Sequence, residues 1–172
     1  MSGPHFGKYR GVVINNVDPN GSGRLQISCA EVLGLSITAW ALPCVPFAGA
    51  SLPDRAPEGF LMLPSIGSNV WIEFEAGNPE RPIWTGCFWA DGGAPPATIL
   101  PTVRTIVSGG VEIRLDATPG IGGLSIKVGP PTVGVPCELK FSTGAIELTI
   151  GAASIKLDPA RIVLNNGALE VI

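Results

Sequence analysis

The sequence predicts an all-β protein in two parts: a small closed barrel, then a column of very short strands that several copies of the chain build together. Three observations carry that expectation. The 172 residues include 23 Gly and 17 Pro, both costly inside helices and both suited to turns. Hydrophobic residues make up 45% of the chain and charged residues only 15%, which separates it from disordered sequences of similar Gly and Pro content. In the C-terminal third, apolar and polar residues alternate in short runs, the period of a strand with one covered face.

The barrel is read element by element from residues 1–90. Tyr9 to Val17 is β-branched and short on breakers, so it reads as a strand. Asp18-Pro-Asn-Gly-Ser-Gly23 is a concentrated turn signal, and Arg24 to Cys29 a second strand, which together make a β-hairpin. Ser36 to Pro43 gives a third strand, followed by a loop from Phe47 to Gly59 rich in Ala, Pro and Gly. Phe60 to Leu63 reads as a short strand before a turn at 65–67. From Asn69 to Glu75 the alternation is clean, with Val70, Ile72 and Phe74 on one face and Trp71, Glu73 and Glu75 on the other. Gly77 to Glu80 turns the chain, and Pro82 to Trp89 closes the set. About five or six strands without a convincing helix predict a closed barrel such as an OB-fold. Residues 91–108, with Gly92, Gly93, Pro95, Pro96 and Pro101, read as a linker.

Residues 109–172 follow a different grammar. Val111–Asp116, Leu124–Val128, Glu138–Ser142, Ile146–Ile150, Ser154–Asp158, Arg161–Asn165 and Leu169–Val171 each alternate. Their first inward positions, 111, 124, 139, 146, 155, 162 and 169, lie 13, 15, 7, 9, 7 and 7 residues apart, a degenerate repeat that tightens along the chain. Each strand offers only two or three apolar side chains to one face, and a one-layer ribbon cannot cover them. Another copy must supply the opposite wall. Ile113, Leu115, Ile126, Leu148, Ile155, Leu157 and Leu164 are the candidates for that shared interface. Strands lying across a common axis at ~4.8 Å would give a column about 34 Å long. Such a shape is mechanical and offers no pocket.

Charge and special residues narrow the function. Eleven basic against 14 acidic residues give a net charge of −3, so the basic excess that neutralises nucleic-acid phosphates is missing. No apolar run reaches the length of a membrane-spanning helix, and Met1 to Gly11 lacks the apolar core of a secretory signal. Cys29, Cys44, Cys87 and Cys137 form no C-x-x-C pair and are expected as free, buried thiols; pairing is the alternative in an oxidising compartment. One histidine, His5, near an end expected to fray, argues against a zinc site and a Ser-His-Asp hydrolase. No cofactor is expected.

Three stretches then acquire a common meaning. Lys8 to Val13 (KYRGVV), Asp18 to Ile27 (DPNGSGRLQI) and Pro64 to Gly86 (PSIGSNVWIEFEAGNPERPIWTG) resemble, in that order, the OB-fold of the baseplate assembly protein V family. These are the central spikes of contractile phage tails and of related type VI secretion and extracellular injection systems. The resemblance implies an OB barrel followed by a trimeric interwound β-helix or β-prism needle. It further implies a homotrimer under a trimeric baseplate hub, in a virion or injection-system baseplate assembled in the bacterial cytoplasm. On sheath contraction the needle would pierce the target envelope, touching its membrane only transiently. The chain departs from relatives in two ways. The roughly 20 residues between barrel and needle leave no space for the lysozyme domain some members carry, so no enzyme activity is expected. No histidine cluster follows His5, so an iron-binding apex is not expected. Leu169, Val171 and Ile172 are the tip candidates, closing the needle themselves or, as the apolar terminus favours, seating a separate cone-shaped tip protein.

The same residues suggest other chemistry, which a blander role fits better. Glu73 and Glu75 are spaced like a glycosidase pair, yet stand on the polar face of a strand, where solvated carboxylates are the rule. Asp18, Asn20, Ser22 and Gly23 imitate the opening of a calcium loop, but Cys29 replaces its closing acid, and a hairpin turn fits better. Gly21 to Arg24 lacks the Lys and Ser/Thr of a phosphate loop. Trp40, Trp71, Trp84 and Trp89 are the residues behind the alternative function, an OB-type module binding oligosaccharide or single-stranded nucleic acid by stacking.

Overall fold

A computed structural model describes residues 3–49, 56–95 and 100–171, with residues 170 and 171 as backbone alone. The chain is all-β and divides into two compact units, Met1–Ala94 and Pro95–Ile172.

The first unit holds β1 (Tyr9–Asn15), β2 (Gln26–Ser28), a one-turn helix α1 (Ala30–Leu33), β3 (Leu42–Pro43), β4 (Asn69–Phe74) and β5 (Pro82–Cys87). The sheet order is β2-β1-β4-β5-β3, with only β3 and β5 parallel. The ring closes through residues 37–41. Leu25 and Ala41 exchange two backbone hydrogen bonds (3.1 and 2.8 Å), and Thr38 donates its N–H to the Ile27 carbonyl while its hydroxyl accepts from the Ile27 N–H (both 2.9 Å). Closure removes the free edges that an open five-stranded sheet would present.

The core is what the alternation predicts. Val70, Ile72 and Phe74 of β4 are buried with Val13, Leu25, Ile27, Cys29, Ala41 and Trp84. The Trp84 indole N–H donates to the Gly23 carbonyl at 3.1 Å, so the largest core side chain keeps its polar atom satisfied. Gly11 explains the glycine of the first motif: a Cβ there would lie 2.6 Å from Ile27 Cγ2 and 2.7 Å from Ile72 Cδ1. No larger residue lets β1 pass over those side chains.

Several expectations need correction. The third strand, expected over Ser36 to Pro43, is regular only at Leu42–Pro43, because residues 37–41 turn between β2 and β5 and make isolated bridges instead of a ladder. Phe60 to Leu63 is exposed and forms no strand; the pairing nearby is a single bridge between Ala48 and Gly59. Helix α1 has no counterpart in the sequence reading, and its Val32 and Leu33 pack against the core. His5 is held rather than frayed. Its N–H donates to the Gly77 carbonyl at 2.9 Å, and its ring packs at about 6 Å from Tyr9 and Phe74. The four cysteines are free, but only Cys29 is buried; Cys44 and Cys87 are exposed and Cys137 half-buried.

The turn at Asp18 is organised by that one carboxylate. It accepts from the Asn20, Ser22 and Arg24 N–H groups (3.0, 2.9 and 3.3 Å) and from the Arg24 guanidinium at 2.6 Å. The Arg24 guanidinium, helped by the backbone donors, holds the Asp18 carboxyl far below the usual carboxylate range. A depressed folded value means the stabilisation is complete above the unfolded value near 3.9 and is lost as pH falls toward the folded one. Asp18→Asn is therefore expected to lower the thermal midpoint at neutral pH and to remove part of its fall between about pH 4 and pH 2. Parallel melting curves of both proteins across that range check it; identical pH dependence would show that Asp18 does not carry the turn.

The second unit is an eight-stranded antiparallel meander in chain order: β6 (Val103–Ser108), β7 (Val111–Asp116), β8 (Gly123–Val128), β9 (Cys137–Phe141), β10 (Ile146–Ile150), β11 (Ala153–Leu157), β12 (Ile162–Leu164) and β13 (Leu169–Val171). Seven strands follow the sequence alternation to within a residue or two. The eighth, β6, occupies the last six residues of the stretch read as linker. Its pattern is blurred by Arg104 on the otherwise apolar face and Val107 on the polar one. Gly123 allows the closest approach in the sheet, since a Cβ there would collide with the Phe141 carbonyl oxygen.

Candidate functional site

Register turns the short strands into continuous rows. Reading across the ladder, Ile106, Ile113, Ile126, Leu139, Leu148, Ile155, Leu164 and Leu169 stand directly opposite one another, one per strand. A parallel row two residues away runs Leu115, Leu124, Phe141, Ile146, Leu157 and Ile162. A shorter third row holds Val111, Val128, Cys137, Ile150 and Ala153. Because side chains alternate with period two, all three rows share one face. The interface candidates Ile113, Leu115, Ile126, Leu148, Ile155, Leu157 and Leu164 lie in the first two rows. Leu169 ends the first row, Val171 takes its place opposite Ile162 by register, and Ile172 lies outside the described residues.

This face is uncovered. Among the described residues every buried hydrophobic residue belongs to the barrel, and the second unit buries only Ser125. Leu148 is 42% exposed, and Leu115, Ile155, Leu157 and Leu169 are exposed to a similar degree or more. The opposite face carries the charge. Lys127 faces Glu138 at 3.6 Å and Lys156 faces Glu147 at 3.1 Å, each pair directly across a strand boundary, and Arg114 holds Asp116 at 3.1 Å. Exposed pairs of this kind add little stability each, but opposite signs across neighbouring strands penalise a slipped register. A sheet with one charged face and one uncovered aliphatic face has the make-up of a contact surface, which extended exposed apolar patches commonly mark.

The barrel's candidate sites resolve differently. Glu73 is paired to Lys8 at 2.7 Å. Glu75 begins a 3₁₀ turn after β4 and is paired to Arg81 at 3.4 Å. Glu75 therefore leaves the strand face on which Glu73 remains, and the two carboxylates serve separate ion pairs. The Asp18 carboxylate is fully used by the turn and by Arg24.

Of the four tryptophans, Trp84 is buried, Trp40 is covered by the Arg24 guanidinium at 5.6 Å, and Trp71 lies against Phe88 at 4.6 Å with Arg10 above at 5.8 Å. Trp89 alone among them is largely exposed, at 64%. Three of the four rings that would stack a base or sugar are already occupied. The sequence did not reveal these coverings, since Arg10 and Trp71 meet only through the pairing of β1 with β4. Among the described residues no cluster of His, Cys, Asp and Glu is arranged to hold a metal, and no helix is long and apolar enough to cross a membrane.

Residues 9–89 match the family model described as the Type VI secretion system/phage-baseplate injector OB domain. That span covers the barrel from the first residue of β1 to just past β5. No curated protein matches the chain.

Proposed function

We propose that this chain, whose residues 9–89 belong to the Type VI secretion system and phage-baseplate injector OB family, is the central spike of its baseplate. The family assigns the barrel to baseplate assembly. The second unit supplies the shaft. Three copies place their apolar faces together around one axis, forming a needle that is driven through the target envelope when the sheath contracts. The barrels attach the needle to a trimeric hub, and a separate cone-shaped protein seats on its end near Leu169. The particle is a tail or an injection system, assembled in the cytoplasm. The role is mechanical and non-catalytic.

The observation that supports this reading is the row of eight aliphatic residues, Ile106 to Leu169, half-buried or exposed but never fully buried, on a sheet with no buried hydrophobic residue among the described residues. A β-layer needs a second layer to bury that face. Three sheets closed on a common axis supply it with no edge of the apolar face left wet, and closed cyclic symmetry stops growth at a defined number of copies. Eight strands leave seven spacings of ~4.8 Å, a column of ~34 Å per chain. Because the layers are shared, unfolding one copy uncovers the other two, which suits a shaft loaded along its length.

Native mass spectrometry of the full chain is expected to show a mass of three chains that persists on dilution to nanomolar concentration. A stable single-chain species would overturn the reading.

A further inference from the structure

The apolar face of the second unit carries one charged side chain among the described residues, and it is Arg104. It stands directly opposite Leu115 in β7, at the head of the row that continues through Leu124, Phe141 and Ile146. It is exposed and has no hydrogen-bond or ion-pair partner among the described residues, whereas Arg114 and Arg161 of the same unit hold Asp116 and Asp158. Every acidic residue of this unit whose side chain is described lies on the other face or in a turn. None of them pairs with Arg104 within the chain, and an identical copy laid against that face presents it no acidic side chain of its own apolar face.

The unpaired charge gains its importance once the face is shared, so the site rests on the three-chain reading of the needle. Identical chains around an axis bring three Arg104 side chains to one level of the column. The residue lies about 7 Å along the strand from Ile106 in the central row, a distance a long arginine stem can span. Three guanidinium groups approaching one another in a partly dry setting repel, and each retains planar N–H donors without acceptors. Guanidinium forks match the oxygens of phosphate-class anions geometrically and bind them through charge-assisted hydrogen bonds. A tetrahedral oxyanion has threefold symmetry about any of its bonds, so it can offer one oxygen to each of three arginines.

We infer that the base of the column is an anion site: one tetrahedral oxyanion of the phosphate class, held by the three Arg104 side chains, per three chains. The anion then acts as a lock, neutralising the charge on the shared face at the end where the strands begin.

The test uses the full chain with inorganic phosphate. Native mass spectrometry is expected to give three chains plus one phosphate. Melting curves are expected to move up by several degrees in phosphate relative to chloride at equal ionic strength. In Arg104→Leu, which extends the aliphatic row, three chains are expected to remain associated. Both the phosphate adduct and the phosphate-dependent shift should disappear, and the midpoint in chloride should exceed that of the parent. A three-chain species without phosphate and without the differential shift overturns the anion site and leaves the spike reading standing. A phosphate shift that survives in Arg104→Leu overturns it equally. A single-chain mass for the parent overturns the spike reading itself.

Discussion

Ile126→Asp and Leu148→Asp are expected to abolish the three-chain species while leaving the barrel of each single chain folded. Ile126 sits between Ile113 and Leu139 in the central row, and Leu148 sits between Leu139 and Ile155. In an isolated chain neither position is buried, Leu148 being 42% exposed and Ile126 half-buried, so a carboxylate at either keeps contact with water. Association alters the balance. Each copy would carry its carboxylate into the shared aliphatic layer, where three like charges meet with no counter-ion. The effective penalty of burying an unpaired ion is several kcal/mol, so three together cost about 10 kcal/mol or more. That corresponds to roughly seven powers of ten in the association constant. Sedimentation velocity is expected to show one chain at every accessible concentration. Thr149→Lys, one residue along from Leu148 but on the charged face opposite Glu138, should associate normally. If both aspartate variants formed normal three-chain species, the inward face would be misassigned.

The contrast between these neighbours shows what was legible in the sequence and what was not. Strict alternation from Val111 onward identified which residues share a face, because a one-residue slip would invert the whole set. It also identified the buried side of β4 at Val70, Ile72 and Phe74. Alternation failed where the two faces are chemically mixed. Strand β6 carries Arg104 and Ser108 on the apolar side and Val107 on the polar side, so its period disappears into the preceding Pro-rich stretch. Phe60 to Leu63 misled in the opposite way: an apolar run suggested a strand, but the hydrogen bond from its Phe60 N–H to the Phe47 carbonyl starts no ladder and its side chains are exposed.

Long-range partners were the other blind spot. The Asp18 turn could be recognised from its own residues, and its tie to Arg24 is local. The occupation of Trp71 by Arg10 and Phe88 depends on which strands become neighbours. Likewise, the rows across eight strands exist only once hairpin lengths have fixed the register; two-residue connections at Gly109–Gly110 and Gly151–Ala152 are joined by others of four to eight residues. Sequence spacing supplied the face, and the loops decided which residues meet on it.

The same division predicts how the protein melts. Ile72→Ala removes the centre of the barrel core from a side chain that is fully buried and lies where β1 passes closest, at Gly11. Neither neighbour can collapse easily into the space, because Ile27 and Val70 are held by the closed ring. Loss of a buried isoleucine side chain to alanine costs about 2–5 kcal/mol. For a unit of this size, at about 4–8 °C per kcal/mol, the barrel midpoint should fall by ~10 °C or more. The second unit obeys different thermodynamics. In the proposed three-chain spike its apolar face is buried only by association, so its transition should move up with protein concentration, whereas the barrel's should not. Calorimetry of the parent at several concentrations is expected to resolve these two behaviours, with Ile72→Ala shifting the concentration-independent one alone. A concentration-dependent transition that fell equally in Ile72→Ala would mean that the needle draws its stability from the barrel rather than from its own copies. A barrel that tolerated the substitution without loss would contradict the core assigned to β4. The separation of the two transitions thus asks of heat what the sequence asks of pattern: whether one half folds on itself and the other only in company.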